Sequence, residues 1–320
     1  LLTLLGCFSS AALVAPNDAP LIARSAGDLW SWNGAWKRLT TTKNIWSMSL
    51  SPDGSRVAYI AYEVQSPERL KACNCHPPFS LHVLELRGGN VRQIAAQTAE
   101  RNSRQWVNYA ENAGLLAWSP DGTRLAWMDQ TGRASTDQDP IWNLAVYTLS
   151  GGKTQRFTVR AEGADAGDRQ LVWTPRGLRI WFQSFPQTRP QQSAVRWYTP
   201  SGNALAPEQG AQAGAYFANT RLSLRDPTGP NAQLLDGTRA PLKLGLYVAA
   251  AVTSADGSRA VLAGRTPGTV SRNAGADVRK APGEIQLWLY AAGKLTRVAA
   301  PPEFQAGASL AWFGEIQRER

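Results

Sequence analysis

Ile45-Trp46-Ser47-Met48-Ser49-Leu50-Ser51-Pro52-Asp53-Gly54-Ser55-Arg56-Val57-Ala58-Tyr59-Ile60 is the stretch that decides the fold. Two runs of strand-forming residues flank a turn whose chemistry is explicit. Pro presets φ for the second turn position, Asp bonds locally to the backbone, and Gly tolerates the left-handed region. The unit then returns. Ser119-Pro120-Asp121-Gly122 stands between Leu115–Trp118 and Arg124–Trp127, and Thr174-Pro175-Arg176-Gly177 stands between Leu171–Trp173 and Leu178–Trp181. Ser254-Ala255-Asp256-Gly257 precedes Arg259–Leu262. Self-similarity at this period marks a repeat architecture.

A second pattern interleaves with the first. Leu81–Leu86, Gly88-Gly89 and Val91–Ile94 read as a hairpin. So do Leu144–Leu149, Gly151-Gly152 and Thr154–Phe157, and Ile285–Tyr290, Gly293 and Leu295–Val298, while Ala194–Tyr198 meets Ser201-Gly202. One full unit is therefore four strands, the size of a propeller blade. Counting first strands near residues 46, 116, 172, 215, 250 and 310 predicts an all-β, six-bladed β-propeller. The fourth unit, Ala215-Tyr216-Phe217 to Arg225, lacks the turn motif and is placed by spacing. The chain opens on outer-strand material, Asp28–Trp32 and Trp36–Leu39, and closes on Ser309-Leu310-Ala311-Trp312. These two ends are expected to complete the sixth blade together, which would remove an exposed edge. Residues 20–320 then form one domain.

The strand–Ser-Pro-Asp-Gly–strand unit followed by its hairpin resembles the repeat of TolB-type propellers, and the same unit occurs in the propellers of prolyl oligopeptidase-family enzymes. The resemblance spans nearly all of residues 20–320. It implies a non-enzymatic protein of the cell envelope, periplasmic or envelope-associated, that presents a propeller face to a protein partner or assembly. Residues 1–320 hold no counterpart of TolB's additional N-terminal domain, which argues against a literal role in the Tol system. The alternative, from another class, is a propeller enzyme with its site at the channel mouth, either a lactonase-like hydrolase or a sugar-processing enzyme. No Gly-x-Ser-x-Gly nucleophile elbow occurs to support a hydrolase.

The N-terminus fits export. Leu1–Ala15 is apolar, and Pro16-Asn17-Asp18 turns polar, so residues 1–19 read as an incomplete export or lipoprotein signal. Leu4-Leu5-Gly6-Cys7 has the form of a lipobox, with Cys7 as the lipidated residue; cleavage after Ala15 is the competing reading, and an apolar segment of a cytosolic protein the third. Fifteen residues are too few for a transmembrane helix, so membrane attachment would rest on Cys7 alone.

The net charge of +10 comes from basic residues scattered singly, with no run of four, which is a solvated surface rather than a nucleic-acid footprint. Monomeric behaviour is expected of the chain alone.

Candidate sites follow from loop length. The tight turns share one face, whereas long connections at 64–80, 96–113, 130–140, 160–169, 185–192 and 266–283 fall on the other. Long loops on a rigid scaffold are where binding residues concentrate. Arg101, Arg104, Trp106, Tyr109, Arg133 and Arg272 supply the Arg-and-aromatic mix of binding hot spots. Cys73, Cys75 and His76, with His82 close behind, are the one concentration of soft metal ligands. A Cys73–Cys75 disulfide or two free thiols is the preferred account of the pair, so no cofactor is expected and Zn or Cu is the minority reading.

Overall fold

The computed structural model describes residues 20–62, 75–76, 79–96, 101–102, 116–133, 140–160, 169–184, 192–206, 222–226, 231–237, 239–254, 257–266, 285–304, 309–311, 314–315 and 317–319. Every regular element among them is a β-strand, gathered into six sheets of four or five strands and one two-stranded ribbon.

Sheet I holds β1 (Leu21–Ser25), β2 (Asp28–Trp32) and β3 (Trp36–Arg38), with β25 (Ser309–Ala311) added beside β1. Sheet II runs β4 (Ile45–Leu50), β5 (Arg56–Tyr62), β7 (Phe79–Glu85), β8 (Val91–Ala96). β6 (Cys75–His76), between β5 and β7, and β9 (Arg101–Asn102), after β8, pair with each other as the ribbon. Sheet III is β10 (Leu116–Trp118), β11 (Arg124–Arg133), β12 (Pro140–Thr148), β13 (Lys153–Arg160). Sheet IV is β14 (Arg169–Thr174), β15 (Gly177–Ser184), β16 (Gln192–Tyr198), β17 (Ala204–Leu205). Sheet V contains β18 (Leu222–Arg225), β19 (Gln233–Asp236) and β20 (Leu242–Lys243), with β27 (Gln317–Glu319) beside β18. Sheet VI is β21 (Tyr247–Thr253), β22 (Arg259–Arg265), β23 (Gln286–Ala291), β24 (Lys294–Val298), with β26 (Gly314–Glu315) beside β21.

The repeat of the sequence is thus a repeat of sheets, and its turn explains itself atom by atom. The Ser51 Oγ donates to Asp53 Oδ1 at 2.6 Å and accepts from the Arg56 amide at 2.9 Å. Asp53 in turn accepts the Ser55 amide at 3.1 Å, and the Gly54 amide, at φ 68°, reaches the Ser51 carbonyl at 2.8 Å. Ser119–Arg124 reproduces these bonds, and Ser254 receives the Arg259 amide at 3.0 Å in the same way. The Ser hydroxyl, the Asp carboxylate and the amides they hold are satisfied within the turn, which favours the turn independently of distant parts of the chain.

The third unit differs. Thr174 pairs directly with Gly177, a two-residue turn, whereas Ser51 and Arg56 enclose four residues. Arg176 stands where the other turns have Asp, and the bonded network has no acceptor at that place.

Apolar residues pack between sheets as well as within them. One core joins sheets VI, I and II through Val261, Leu287, Ile22, Leu29, Val57 and Tyr59. Others join II to III (Ile60, Leu81, Trp127), III to IV (Met128, Leu144, Ile180) and V to VI (Leu224, Leu234, Leu262). First strands of neighbouring sheets lie together: β21 with β25, β25 with β4, β4 with β10, β10 with β14. Among the described residues no core cluster joins sheet IV to sheet V.

Two expectations are refined. The ends of the chain do meet, in antiparallel register Ala23↔Leu310 and Arg24↔Ser309, but through β1, a strand not anticipated from the sequence. Residue 215, the expected first strand of the fourth unit, lies outside the described residues, and β27 occupies the corresponding edge of sheet V.

Candidate functional site

The two ends of the sheets differ. At one end sit the repeated turns, and basic residues there tie sheet to sheet. Arg56 Nη1 donates to the Gly122 carbonyl of sheet III at 3.4 Å, and the Arg124 guanidinium lies 5.0 Å from the Trp173 ring centroid of sheet IV. A cleft of about 520 Å³ opens between sheets II and III, lined by Arg56, Glu85, Arg92, Thr123 and Leu149. Its arginines are already engaged, since Arg92 Nη2 reaches the Leu149 carbonyl at 3.3 Å.

At the other end the ladders become irregular. All four register shifts in the described sheets fall toward the long connections: at Ile45/Ser47, Leu81/His82, Gln130/Gly132 and Val248/Ala250. A β-bulge leaves one residue unpaired and re-aims its side chain. In β4 that residue is Trp46. Ile45 pairs with Ala61 and Ser47 with Ile60, so Trp46 has no partner and its ring stands 44% exposed.

Trp46 is held by two neighbours. Tyr62 meets it edge-on, with centroids 6.1 Å apart and planes at 75°, and the Arg24 guanidinium lies 5.8 Å from its centroid. Arg24 also donates to the Ile45 carbonyl at 3.5 Å, and burial lowers its pKa from the ordinary arginine value. Among the described residues, the Asn44 Oδ1 and Ser47 Oγ on either side of the bulge are buried without a hydrogen-bond partner, and in sheet VI so are the Nε and Nη1 of Arg265, the last residue of β22. Buried polar groups are normally satisfied, and exceptions mark strain or function.

The connection that leads into β4 is short and held close to sheet I. Asp28, 1% exposed, gathers residues 38–43 by accepting from Arg38, from Thr40 Oγ1 at 3.1 Å and from the Lys43 amide at 3.0 Å. Gly27, at φ 76°, lets the chain pass so close that an added Cβ would meet the Lys43 carbonyl oxygen at 2.4 Å.

Of the residues singled out from sequence, Cys75 and His76 form β6, and Arg101 belongs to β9; the ladder sets His76 opposite Arg101 and Cys75 opposite Asn102. Two of the long connections are therefore joined by backbone pairing. Arg133 ends β11 opposite Pro140, so sheet III extends outward there. His82 is a packed strand residue: its ring stacks on Tyr59 at 5.0 Å and 13°, Nε2 shares a hydrogen bond with Ser80 Oγ at 2.7 Å, and burial lowers its pKa. Among the described residues no three His, Cys, Asp or Glu come together as a metal site. Cys7, Cys73, Arg104, Trp106, Tyr109 and Arg272 lie outside the described residues.

Trp46, Tyr62 and Arg24 were not anticipated. One faint signal existed: Ile45 and Trp46 are adjacent apolar residues ahead of the alternating Ser47, Met48, Ser49 and Leu50, and in the structure Ile45, Ser47 and Met48 are all buried.

No family model and no curated protein matches the sequence. Solved structures are similar at low level. Acylaminoacyl peptidase from Pyrococcus horikoshii is 11% identical over 85% of this chain and 41% of its own, with TM-score 0.41. The β-propeller domain of the Trilobed protease from Pyrococcus furiosus is 10% identical over 88% and 81%, with TM-score 0.39. Oligogalacturonate lyase from Vibrio parahaemolyticus is 10% identical over 88% and 79%, with TM-score 0.40. The chain spans about two fifths of the length of the peptidase. Likeness at this level says nothing of activity, substrate or partner.

Proposed function

We propose that the six sheets are the blades of one propeller, closed through sheet I, and that the end bearing the long connections docks a protein of the cell envelope. One observation carries this reading: the bulges collect at that end, and one of them turns Trp46 outward beside Tyr62 and Arg24. Trp, Tyr and Arg are the side chains that dominate protein-binding hot spots, because they offer large rigid area with a polar handle. The opposite end spends its arginines on neighbouring sheets. Support for an envelope location comes from the apolar stretch Leu1–Ala15 and from the repeat's resemblance to TolB-type propellers.

Site-specific photocrosslinking tests it. A benzophenone side chain placed at position 46, and separately at Thr123 among the tight turns, is exposed to native envelope extract. Adducts of one defined protein from position 46, absent from position 123, are expected. Adducts from position 123 alone would put the working surface at the wrong end.

A further inference from the structure

Sheet VI buries a cation at the end of an aliphatic stripe. Along β22, Val261 and Ala263 belong to the core shared with sheet I, while Ala260 and Leu262 belong to the core shared with sheet V. Alternation puts Arg265 on the sheet I side. It is 2% exposed, and among the described residues its Nε and Nη1 have no hydrogen-bond partner. The backbone is shaped around it. β21 bulges between Val248 and Ala250, next to the pair Tyr247↔Arg265. The two strands run so close there that a Cβ on Gly264 would meet the Tyr247 carbonyl oxygen at 2.6 Å.

The facing wall brings a second donor. Arg24, which reaches Ile45 of sheet II, shares its face of sheet I with its partner Leu29. The alternate pair, Ala23↔Trp30, therefore faces sheet VI. The Trp30 Nε1 is buried without a hydrogen-bond partner among the described residues. Neither wall offers a spare carboxylate. β21, β22, β23 and β24 contain no acidic residue. Asp28, the one carboxylate of β1, β2 and β3, is taken up by Arg38, Thr40 and Lys43.

A cavity adjoins this seam. One rung beyond Gly264↔Gln286, Ile285 stands across from Arg265 and begins the lining of a space of about 440 Å³. Leu287, Val298, Ala299 and Ala300 continue it, with Gln286 and Arg297 as its polar members. The Ala299 carbonyl accepts the Trp36 indole N–H of sheet I at 2.7 Å, so this end of the cavity also lies against sheet I.

An arginine keeps its charge wherever it sits, and burying it without a counter-ion is strongly disfavoured. One guanidinium compensates one negative charge, so a dianion would leave charge buried in excess. The aliphatic lining suits a hydrocarbon body. We propose that the seam between sheets VI and I binds a small aliphatic monocarboxylic acid. Its carboxylate sits on Arg265, with the Trp30 indole on the facing wall as second donor, and its chain occupies the cavity beyond Ile285. The site lies on the other side of sheet I from Trp46 and is independent of the docking end.

The test uses the full chain and sodium octanoate, followed by calorimetry and by thermal melting in low-salt buffer. Octanoate at millimolar concentration is expected to bind and to raise the melting midpoint, whereas octanol, as long but uncharged, should do neither. Arg265→Met should bind octanoate at least tenfold more weakly. Without ligand it should melt no lower than the unaltered chain, because it removes an uncompensated buried cation. Ala300→Phe, which fills the cavity away from Arg265, should weaken octanoate several-fold and leave the response to acetate unchanged. If Arg265→Met melts lower without ligand, the guanidinium is already paired within the chain and the proposal fails. It fails equally if octanol serves as well as octanoate, if either variant takes up octanoate as the unaltered chain does, or if the unaltered chain takes up none.

Discussion

Trp46 and Trp118 sit on the first strands of adjacent sheets, near opposite ends, and they live differently. Trp118 precedes the turn at Ser119, is 6% exposed, and donates its indole N–H to the Ser49 carbonyl of the neighbouring sheet at 3.0 Å. Trp46 sits in a bulge, has no cross-strand partner, and is exposed. One ring welds two sheets together and the other faces outward. The contrast teaches that the tight-turn end is built to hold sheets in place, while the far end is built from departures in an otherwise regular ladder.

The largest disturbance should come from neither. Ala23 is fully buried in the middle of β1, between Leu310 and Trp30, so Ala23→Pro removes a ladder donor inside a paired strand and crowds a neighbour with its ring. Proline is confined to sheet edges and bulges for this reason, so the loss should exceed that of any side-chain truncation below. Urea denaturation should show loss of the single cooperative transition. A midpoint within error of the unaltered protein would mean that sheet I does not close the structure.

Next, the two tryptophans should separate cleanly. Trp118→Ala is expected to lose about 3–5 kcal/mol through the cavity and the lost inter-sheet bond. Trp46→Ala should stay within about 0.5 kcal/mol, as exposed substitutions usually do. Thermal melts of the pair measure this, and equal losses would erase the distinction between the ends.

Smaller effects test the turn chemistry. Hydrogen bonds from Ser119 Oγ and from the Thr123 amide hold the Asp121 carboxyl at a pKa of about 2, against an ordinary 3.8. A depressed carboxylate contributes stability that is present above the unfolded value and lost as pH falls through the folded one. Stability should therefore decline between about pH 4 and pH 2. Asp121→Ala should flatten that slope and lower stability at neutral pH by about 0.5–1 kcal/mol, the network being exposed to competing water.

The smallest effect concerns His82. Burial lowers its pKa, so the unfolded chain takes up a proton first as pH falls. Its contribution is complete above the ordinary histidine value of 6.5 and fades below it. The urea midpoint should drop slightly from pH 7.5 to pH 5.5, and His82→Phe, which keeps the stack on Tyr59, should remove that part of the drop.

What was legible in the sequence was local. Ser51–Arg56 and Ser119–Arg124 satisfy their own polar groups, so the pattern of residue types announces the turn. Gly88 and Gly89, both at positive φ, announce their hairpin for the same reason. The strand Leu21–Ser25 escaped because it follows closely on the apolar stretch Leu1–Ala15 and no repeat motif precedes it. Trp46 escaped because a bulge is a relation between two strands, and only its faint break in alternation reaches one strand's sequence. Gln317–Glu319 is polar throughout and reads as no strand at all; its place is set by an edge that lies far back in the chain.

The meeting of β25 with β1 also has a consequence in time. Ser25 donates its hydroxyl to the Pro302 carbonyl across 277 residues of chain. Synthesis at about 5–20 residues per second separates two such positions by roughly 15–60 s. Throughout that interval β1 presents a bare edge, and long-range strand pairing is slow even once both partners exist. Sheet I, opened at β1, is thus completed only when β25 emerges, and until then the edge of β1 is open to pairing with other chains.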